Sequence, residues 1–141
     1  MGYKVKYYLT TPSAIAGCKF VAPLTGDSGH DIHANAPLCI LPQESKVIST
    51  GLYLSIHPNL VGIIKDRKTL ALKGLRVMAG LIDASFRDEV SIFMANTSNS
   101  PYHVQAGDRV AQILFLLLGK PAVIKTSYDK LGPTRKGRGG I

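Results

Sequence analysis

The feature of this sequence that most limits its fold is the recurrence of short β-type segments between turn-forming residues. Alternating or β-branched stretches occur at residues 3–9, 45–56, 61–65, 75–78, 89–95 and 110–118, and turns rich in Gly, Asp, Asn and Pro separate them. The one helix candidate is RKTLALK at 67–73, where good helix formers precede Gly74. The pattern predicts an all-β, jelly-roll-like distorted barrel with one short helix.

The length and charge of the chain suggest one domain with a basic tail. Its 141 residues suffice for a single buried core, and we predict that residues 1–127 form the β domain. Residues 128–141 are basic and Gly-rich, which predicts a flexible arm because such a composition cannot build a packed layer. The formal net charge of +8, with five basic residues and one acid in 125–141, suits a partner that carries phosphate.

The location is predicted from the cysteines and the hydropathy pattern. Cys18 and Cys39 form neither a metal motif nor a disulfide framework. The N-terminal segment lacks the apolar centre of a signal peptide, and the aliphatic run at 113–118 is too short to span a bilayer. We therefore expect a cytoplasmic protein, or one inside an infected host cell if the gene is viral, with no membrane partner.

Residues 80–90, GLIDASFRDEV, read as a β-hairpin in which an acid follows two aliphatic residues. A buried carboxylate without a partner is costly, so Asp83 needs a partner or a task. Two interpretations remain open. Asp83 is either a turn residue whose side chain binds nearby backbone amides, or a general base at the edge of a pocket.

Five unusual segments follow one another along the chain. They read SGHDIHA at 28–34, DRKTLA at 66–71, GLIDASFRDEV at 80–90, GDRVAQI at 107–113 and KGRGGI at 136–141. In this order and spacing they resemble the five motifs of the trimeric dUTPases, which hydrolyse dUTP to dUMP and pyrophosphate. The resemblance implies a homotrimer with active sites at the subunit boundaries.

The resemblance also implies how the triphosphate is held. Asp31 of the first motif would support a Mg²⁺ ion through water, which agrees with the reluctance of Mg²⁺ to lose its waters. Arg67, Lys68 and Thr69 of the second motif would hold the phosphates, although the family has Ser where this chain has Lys68. Gln112 of the fourth motif would bind a phosphate oxygen and align the attacking water. The neighbouring Asp-Arg pair of that motif is interpreted as a structural turn and ion pair.

The third motif would supply the base and the nucleoside contacts. The resemblance assigns Asp83 as the general base that activates water for attack on the α-phosphorus. Phe86 takes the aromatic position that packs under the deoxyribose and excludes a 2′-hydroxyl. Glycine permits close approach of the backbone, and the uracil would be bound by backbone groups of Val77, Gly80, Leu81 and Ile82.

The fifth motif corresponds to an arm that closes over the substrate. Lys136 and Arg138 would contact phosphate, with Lys136 replacing the family's arginine. Ile141 stands where the family has an aromatic residue, so the stacking contact over the uracil is absent. In the family this arm is contributed across a subunit interface.

Three other functions remain open from the sequence. Lys68 and the short fifth motif would suit a dUTPase-like binding or regulatory protein with weakened catalysis. A relative of the dCTP deaminases would need a glutamate acting at the base, and Glu89 is the candidate. A basic nucleic-acid-binding β domain is the weakest, because few aromatic residues are available for base stacking, and no specific nucleic acid is expected.

Overall fold

The computed structural model describes residues 2–10, 20 and 23–133. In this part the strands are β1 Val5–Leu9, β2 His30–His33, β3 Leu38–Ile40, β4 Ser45–Ile48, β5 Leu52–Ile56, β6 Leu60–Lys65, β7 Leu75–Val77, β8 Leu81–Ile82, β9 Ile92–Asn96, β10 Tyr102–Val104 and β11 Arg109–Leu117. Helix α1 spans Lys68–Ala71, and a 3-10 helix spans Tyr128–Leu131. The prediction of an all-β fold with one short α-helix is confirmed.

The strands form four sheets. The largest has the order β2-β11-β6-β8, the next has the order β4-β9-β7, and β1-β5 and β10-β3 form two pairs. Every pairing is antiparallel. Over the described residues these sheets do not close into a hydrogen-bonded barrel, so the architecture is an open packing of sheets around one core.

The core lies between the two larger sheets. Ile32 and Ile113 of the four-stranded sheet and Ile48, Ile92 and Met94 of the three-stranded sheet are at most 1% exposed and belong to one cluster. The neighbours of these residues on either side in the chain are more exposed, which is the period-two pattern of a half-buried strand. The four-stranded sheet, here called the central sheet, contributes Ile32, Ile64 and Ile113 to this core.

Local backbone geometry explains where two predicted segments end. The predicted strand at 45–56 is divided into β4 and β5 by Gly51, whose φ of 66° lies in the left-handed region. The helix predicted at 67–73 is reduced to α1, and Gly74, with a φ of 83°, follows it. A Cβ at Gly74 would lie 3.1 Å from Ser98, so both conformation and space favour glycine there.

The hairpin predicted at 80–90 is not formed. Strand β8 pairs with β6, with Ile82 opposite Gly62, whereas β7 pairs with β9. Residues 83–91, here called the connector, are a loop between β8 and β9. The short strands β2, β3 and β10 were also not predicted, because three or four residues carry too little periodicity to be recognised.

The described chain ends in an exposed segment. Residues 121–133 are exposed throughout and contain the 3-10 helix. The remainder of the predicted arm, 134–141, lies outside the described residues. No helix in the described part combines the length and apolar character needed to cross a membrane.

Candidate functional site

Three polar side chains form a row across the central sheet. Gln112 of β11 lies opposite Asp31 of β2 on one side and opposite Lys65 of β6 on the other. Residues directly opposite in antiparallel strands project from the same face. The strand register therefore brings together a carboxylate, an amide and an ammonium group from distant parts of the sequence.

This row borders a cleft of about 600 Å³, here called the main cleft. Its polar lining comes from β2, β6, β11, α1 and the turn before β2. The lining includes Asp27, Asp31, Lys65, Asp66, Arg67, Lys68, Thr69, Arg109 and Gln112. Four cationic side chains with three carboxylates among them make a site for a ligand that carries several negative charges, with or without a bound cation.

The Gln112 side chain is fixed on both sides. Its Nε2 donates to the backbone carbonyl of Asp66 at 2.9 Å. A Cβ at residue 29 would collide with Oε1 of Gln112, so Gly29 gives the amide the space it occupies. Gln112 lines the main cleft, and its amide keeps an acceptor oxygen and one further N–H donor beyond the bond to Asp66.

Two arginines bracket Asp31. Nε of Arg67 lies 3.3 Å from Oδ1, and Nη1 of Arg109 lies 3.4 Å from Oδ2. Arg67 also donates to the backbone carbonyl of Arg109 at 3.5 Å. The interpretation of Arg109 as part of a structural ion pair with its neighbour is thus wrong, because its carboxylate partner is in the main cleft.

His33 lies close to this cluster but adds little charge to it. Burial lowers the pKa of His33, the Asp31 carboxylate raises it, and Arg109 and Arg67 lower it again, so that the net change is downward. At neutral pH the imidazole is therefore uncharged.

Asp66 has a structural role at the base of the cleft. Its carboxylate binds Nε of Arg76 at 2.9 Å and accepts the backbone N–H of Val77 at 2.5 Å. These contacts tie the end of β6 to β7. Lys68 and Thr69 are exposed and line the cleft.

Asp83 opens the connector. The backbone N–H of Phe86 donates to the Asp83 carbonyl at 3.1 Å, which closes a tight turn. The Asp83 side chain is exposed and, among the described residues, makes no hydrogen bond or ion pair. Asp83 is therefore a turn residue, as the first interpretation has it, but the hydrogen bond that closes the turn does not involve its carboxylate.

Part of the backbone that was predicted to bind the nucleoside is already used in hydrogen bonds within the fold. The N–H of Val77 is bound by Asp66, and the carbonyl of Gly80 accepts the N–H of Ile64 at 2.7 Å. A Cβ at Gly80 would lie 2.7 Å from the Ile64 carbonyl oxygen, so the close approach that glycine allows there is to β6. Leu81 is 67% exposed, whereas Ile82 is 9% exposed and belongs to the core.

Glu89 is held at the far end of the connector. Its Oε1 accepts the hydroxyl of Ser49 at 2.6 Å and the N–H groups of Thr50 and Gly51 at 2.7 Å each. Burial raises the pKa of Glu89, but these hydrogen bonds outweigh it, so the net pKa is lowered. A carboxylate used in this way braces the β4–β5 turn, which argues against the deaminase-type role for Glu89.

Comparison with known proteins decides the family. The dUTPase family model matches residues 22–141, most of the chain and all five motifs. The chain belongs to the dUTPase family.

Several curated dUTPases resemble the chain over most of their own length. The deoxyuridine 5'-triphosphate nucleotidohydrolase of Picosynechococcus sp. is 36% identical over 119 residues, 82% of either chain. That of Mesorhizobium japonicum is also 36% identical, over 83% of this chain and 76% of the relative. That of Solibacter usitatus is 30% identical over 98% of this chain and 93% of the relative.

Solved dUTPases share the fold. The Staphylococcus bacteriophage 80alpha dUTPase with dUpNHpp aligns with a TM-score of 0.83 over 98% of this chain and 96% of that one, at 20% identity. The EIAV dUTPase aligns with a TM-score of 0.75 over 89% and 98% of the two chains, also at 20% identity. At this identity the likeness supports the fold.

Within one chain, the residues predicted to form the dUTPase site lie in two separate places. Asp31, Arg67, Lys68, Thr69 and Gln112 meet in the main cleft. The residues predicted to bind the nucleoside or to act as the base do not line that cleft. They are Val77, Gly80, Leu81, Ile82, Asp83 and Phe86. Lys136 and Arg138 lie outside the described residues.

Sequence reasoning missed two cations of the main cleft. Lys65 lies between two motifs, and Arg109 was interpreted as structural. Only the registers of β6 and β11 and the pairing of Arg109 with Asp31 reveal that both face the site. A strand alignment of 60–65 against 112–117 would have found Lys65.

The main cleft suits a hard cation that is bound partly by a ligand better than a cation that is bound by protein side chains alone. The described residues contain no group of three or more His, Cys, Asp or Glu arranged to hold a metal. Mg²⁺ is commonly bound by one or two carboxylates together with waters and substrate phosphates. Asp31, at the mouth of a cationic cleft, satisfies that requirement.

Proposed function

We propose that this protein hydrolyses dUTP to dUMP and pyrophosphate. The observation that carries the proposal is the convergence of Asp31, Arg67 and Gln112 in one cleft of a chain that belongs to the dUTPase family. The curated relatives are dUTP nucleotidohydrolases, and a fold neighbour binds dUpNHpp. The reaction is the in-line attack of water on the α-phosphorus, with pyrophosphate as the leaving group.

In this proposal the main cleft holds the triphosphate. Arg67 and Arg109 offer guanidinium donors that match phosphate oxygens, while Lys68 adds a mobile charge and Thr69 a hydroxyl. A bound phosphate competes with Asp31 for both arginines. Gln112, fixed by Asp66, presents an acceptor and a donor to the attacking water and a phosphate oxygen.

Asp31 is the residue that would support Mg²⁺ through water. The bound ion would neutralise phosphate charge and orient the triphosphate. A fold neighbour, the dUTPase of phage phi11 of S. aureus, coordinates a structural Mg(II) ion. Release of Asp31 from Arg67 and Arg109 by the incoming phosphates would couple metal binding to nucleotide binding in this chain.

The complete site requires more than one subunit in this proposal. Asp83 and Phe86 do not line the main cleft of their own chain, so a base at Asp83 would face the cleft of a neighbour in a homotrimer. Large exposed apolar side chains at Leu117, Val123 and Ile124 suit burial against another subunit. The arm at 128–141, with Lys136 and Arg138, would then cross to an adjacent site.

The third motif would carry out the base and sugar chemistry. Asp83 is proposed as the general base, because its carboxylate is free to bind and deprotonate a water. Phe86, half-buried against the core, would present its ring to the deoxyribose. Backbone groups of Val77, Gly80, Leu81 and Ile82 that the sheet does not use would bind the uracil. The proposed location is cytoplasmic, in accord with the free thiol of Cys39.

One assay separates this proposal from its rivals. Pyrophosphate release is measured from dUTP, UTP, dTTP and dCTP, with Mg²⁺ and with a chelator in its place. We expect efficient release from dUTP alone and a strong loss with the chelator. Binding of dUTP without release would favour the regulatory protein, which Lys68 in the phosphate motif makes the second candidate. Ammonia release from dCTP would favour a deaminase.

A further inference from the structure

A second cleft of about 440 Å³ lies beside the connector, here called the basic cleft. Its polar lining consists of Lys4, Lys6, Ser55, His57, Ser85 and Arg87, and no acidic residue among the described parts of the chain lines it. In the main cleft, by contrast, three carboxylates stand among the cations. The described lining of the basic cleft therefore carries positive charge that no carboxylate offsets.

The register of β1 and β5 explains why the two lysines face the same cleft. Lys6 lies opposite Ser55, and Val5 lies opposite Ile56. Lys6 lies in β1 and Lys4 directly precedes this strand, and two residues spaced by two along an extended chain project to the same side. Among the described residues neither lysine has an ion-pair partner.

Arg87 and His57 are held in place by the backbone. Nη1 of Arg87 donates to the carbonyls of Ala84 at 2.7 Å and Phe86 at 2.8 Å, which leaves Nε and Nη2 as donors. Nδ1 of His57 accepts the N–H of Asn59 at 3.1 Å, so the neutral ring carries its proton on Nε2. These donors are oriented before any ligand arrives, which lowers the entropic cost of binding.

The connector contributes a hydroxyl group to this cleft. Ser85 lines the cleft, and a hydroxyl both donates and accepts hydrogen bonds.

We propose that the basic cleft binds a small polyphosphate anion, either free pyrophosphate or the phosphate chain of a nucleotide. Two lysines, an oriented guanidinium and two hydroxyls match the charge and the many acceptor oxygens of such a group. A cleft of this volume lies in the range of small-ligand sites. The proposal goes beyond the proposed function, because the proposed function assigns no role to Lys4, Lys6, Ser85 or Arg87, and none of them is among the described residues that line the main cleft.

The test follows backbone amide signals by NMR while inorganic pyrophosphate is added to the full-length protein in the presence of a metal chelator. We expect two separate sets of shifts, one at residues 28–31 and 66–69 of the main cleft and one at 4–6 and 55–57, apart from Asp83 and Phe86 of the proposed active site. A parallel titration with ATP distinguishes a nucleotide's phosphates from the free anion. The second set defines the basic cleft, and the first set reports on the proposed function.

Two charge-reversed variants make the assignment specific. Lys6→Glu should weaken the binding that produces the second set about tenfold or more, the typical loss of a charge-assisted hydrogen bond, and leave the first set unchanged. Lys73→Glu makes the same change in charge at an exposed position outside both clefts and should alter neither set.

The proposal is overturned if pyrophosphate and ATP both leave residues 4–6 and 55–57 unshifted, or if Lys6→Glu and Lys73→Glu weaken the second set equally. It is also overturned if these amides respond only to a single-stranded oligonucleotide, which would indicate a nucleic-acid surface. Loss of the first set alone would count against the main cleft and the proposed function, and would leave the basic cleft supported.

Discussion

The connector between β8 and β9 carries two carboxylates that the fold treats in opposite ways. The Asp83 side chain is exposed and, within the described chain, makes no hydrogen bond or ion pair. Glu89, six residues later, accepts hydrogen bonds from three groups of the β4–β5 turn. The fold depends on Glu89 and does not depend on Asp83.

This difference shows how function and structure separate within one loop. A carboxylate that satisfies backbone N–H groups is retained for stability, since unpaired N–H groups are costly to leave buried. A carboxylate held on a rigid turn with no partner is available for chemistry. A change to the first kind of carboxylate, that of Glu89, should affect folding. A change to the second kind, that of Asp83, should affect turnover.

The largest expected effect is that of Asp83→Asn. Turnover of dUTP should fall by about 10²–10⁴-fold, the usual contribution of a general base, while nucleotide affinity is largely kept. The free energy of unfolding should change by no more than about 0.5 kcal/mol, as for other exposed side chains without partners. Pyrophosphate release and urea denaturation measure the two quantities.

Asp88→Asn is the matched control for this variant, because Asp88 is also exposed on the connector and neutralised by the same change. It should leave both turnover and stability near those of the unmodified protein. If Asp83→Asn retains turnover within about tenfold, the assignment of Asp83 as base is wrong.

Phe86 is the intermediate case, because its ring is half-buried against the core and would also contact the sugar. Phe86→Ala should reduce the preference for dUTP over UTP by about tenfold or more, since removing a tight contact forfeits about 1–3 kcal/mol of discrimination. Phe86→Tyr should keep the preference, because the ring face excludes the 2′-hydroxyl. The ratio of kcat/KM values for the two substrates checks this, and equal ratios in all three proteins would remove Phe86 from the site.

The sequence predicted the class of fold and, from its motifs, several of the residues that line the main cleft. The long segments β5, β6 and β11 carry enough alternation to be recognised. The pairing of β8 with β6 could not be predicted, because it depends on contacts between residues about twenty positions apart in the sequence. The bracing of the β4–β5 turn by Glu89 is of the same kind, since its partners are about forty residues away.

Contacts between residues distant in the sequence also limited the prediction of the main cleft. The motifs predicted Asp31, Arg67 and Gln112, and the structure brings them together. The opposition of Lys65 to Gln112 and the contact of Arg109 with Asp31 are properties of strand register. A one-residue slip would place every side chain on the other face, and the linear sequence does not fix that register by itself.

Glu89→Gln should destabilise the protein without altering the chemistry of the folded enzyme. Replacing a charged acceptor shared by three donors costs about 1–3 kcal/mol in the free energy of unfolding. Glu44→Gln provides a graded control, because Glu44 accepts one backbone N–H, that of Leu41, and forms a surface ion pair with Lys46. The comparison requires equal protomer concentration, since assembly contributes to stability. Equal losses in the two variants would contradict the special role of Glu89.

The smallest expected effect is the pH dependence of that stability difference. Because the folded pKa of Glu89 is lowered, the charged carboxylate contributes its stability fully above the unfolded pKa, about 4.3 for glutamate. The contribution is lost as the pH falls through the lower folded pKa. The gap in free energy of unfolding between the unmodified protein and Glu89→Gln should thus be constant near neutrality and narrow below about pH 4. Urea titrations at several pH values measure the gap, and a gap that widens on acidification would mean that the hydrogen bonds of Glu89 do not favour its charged form.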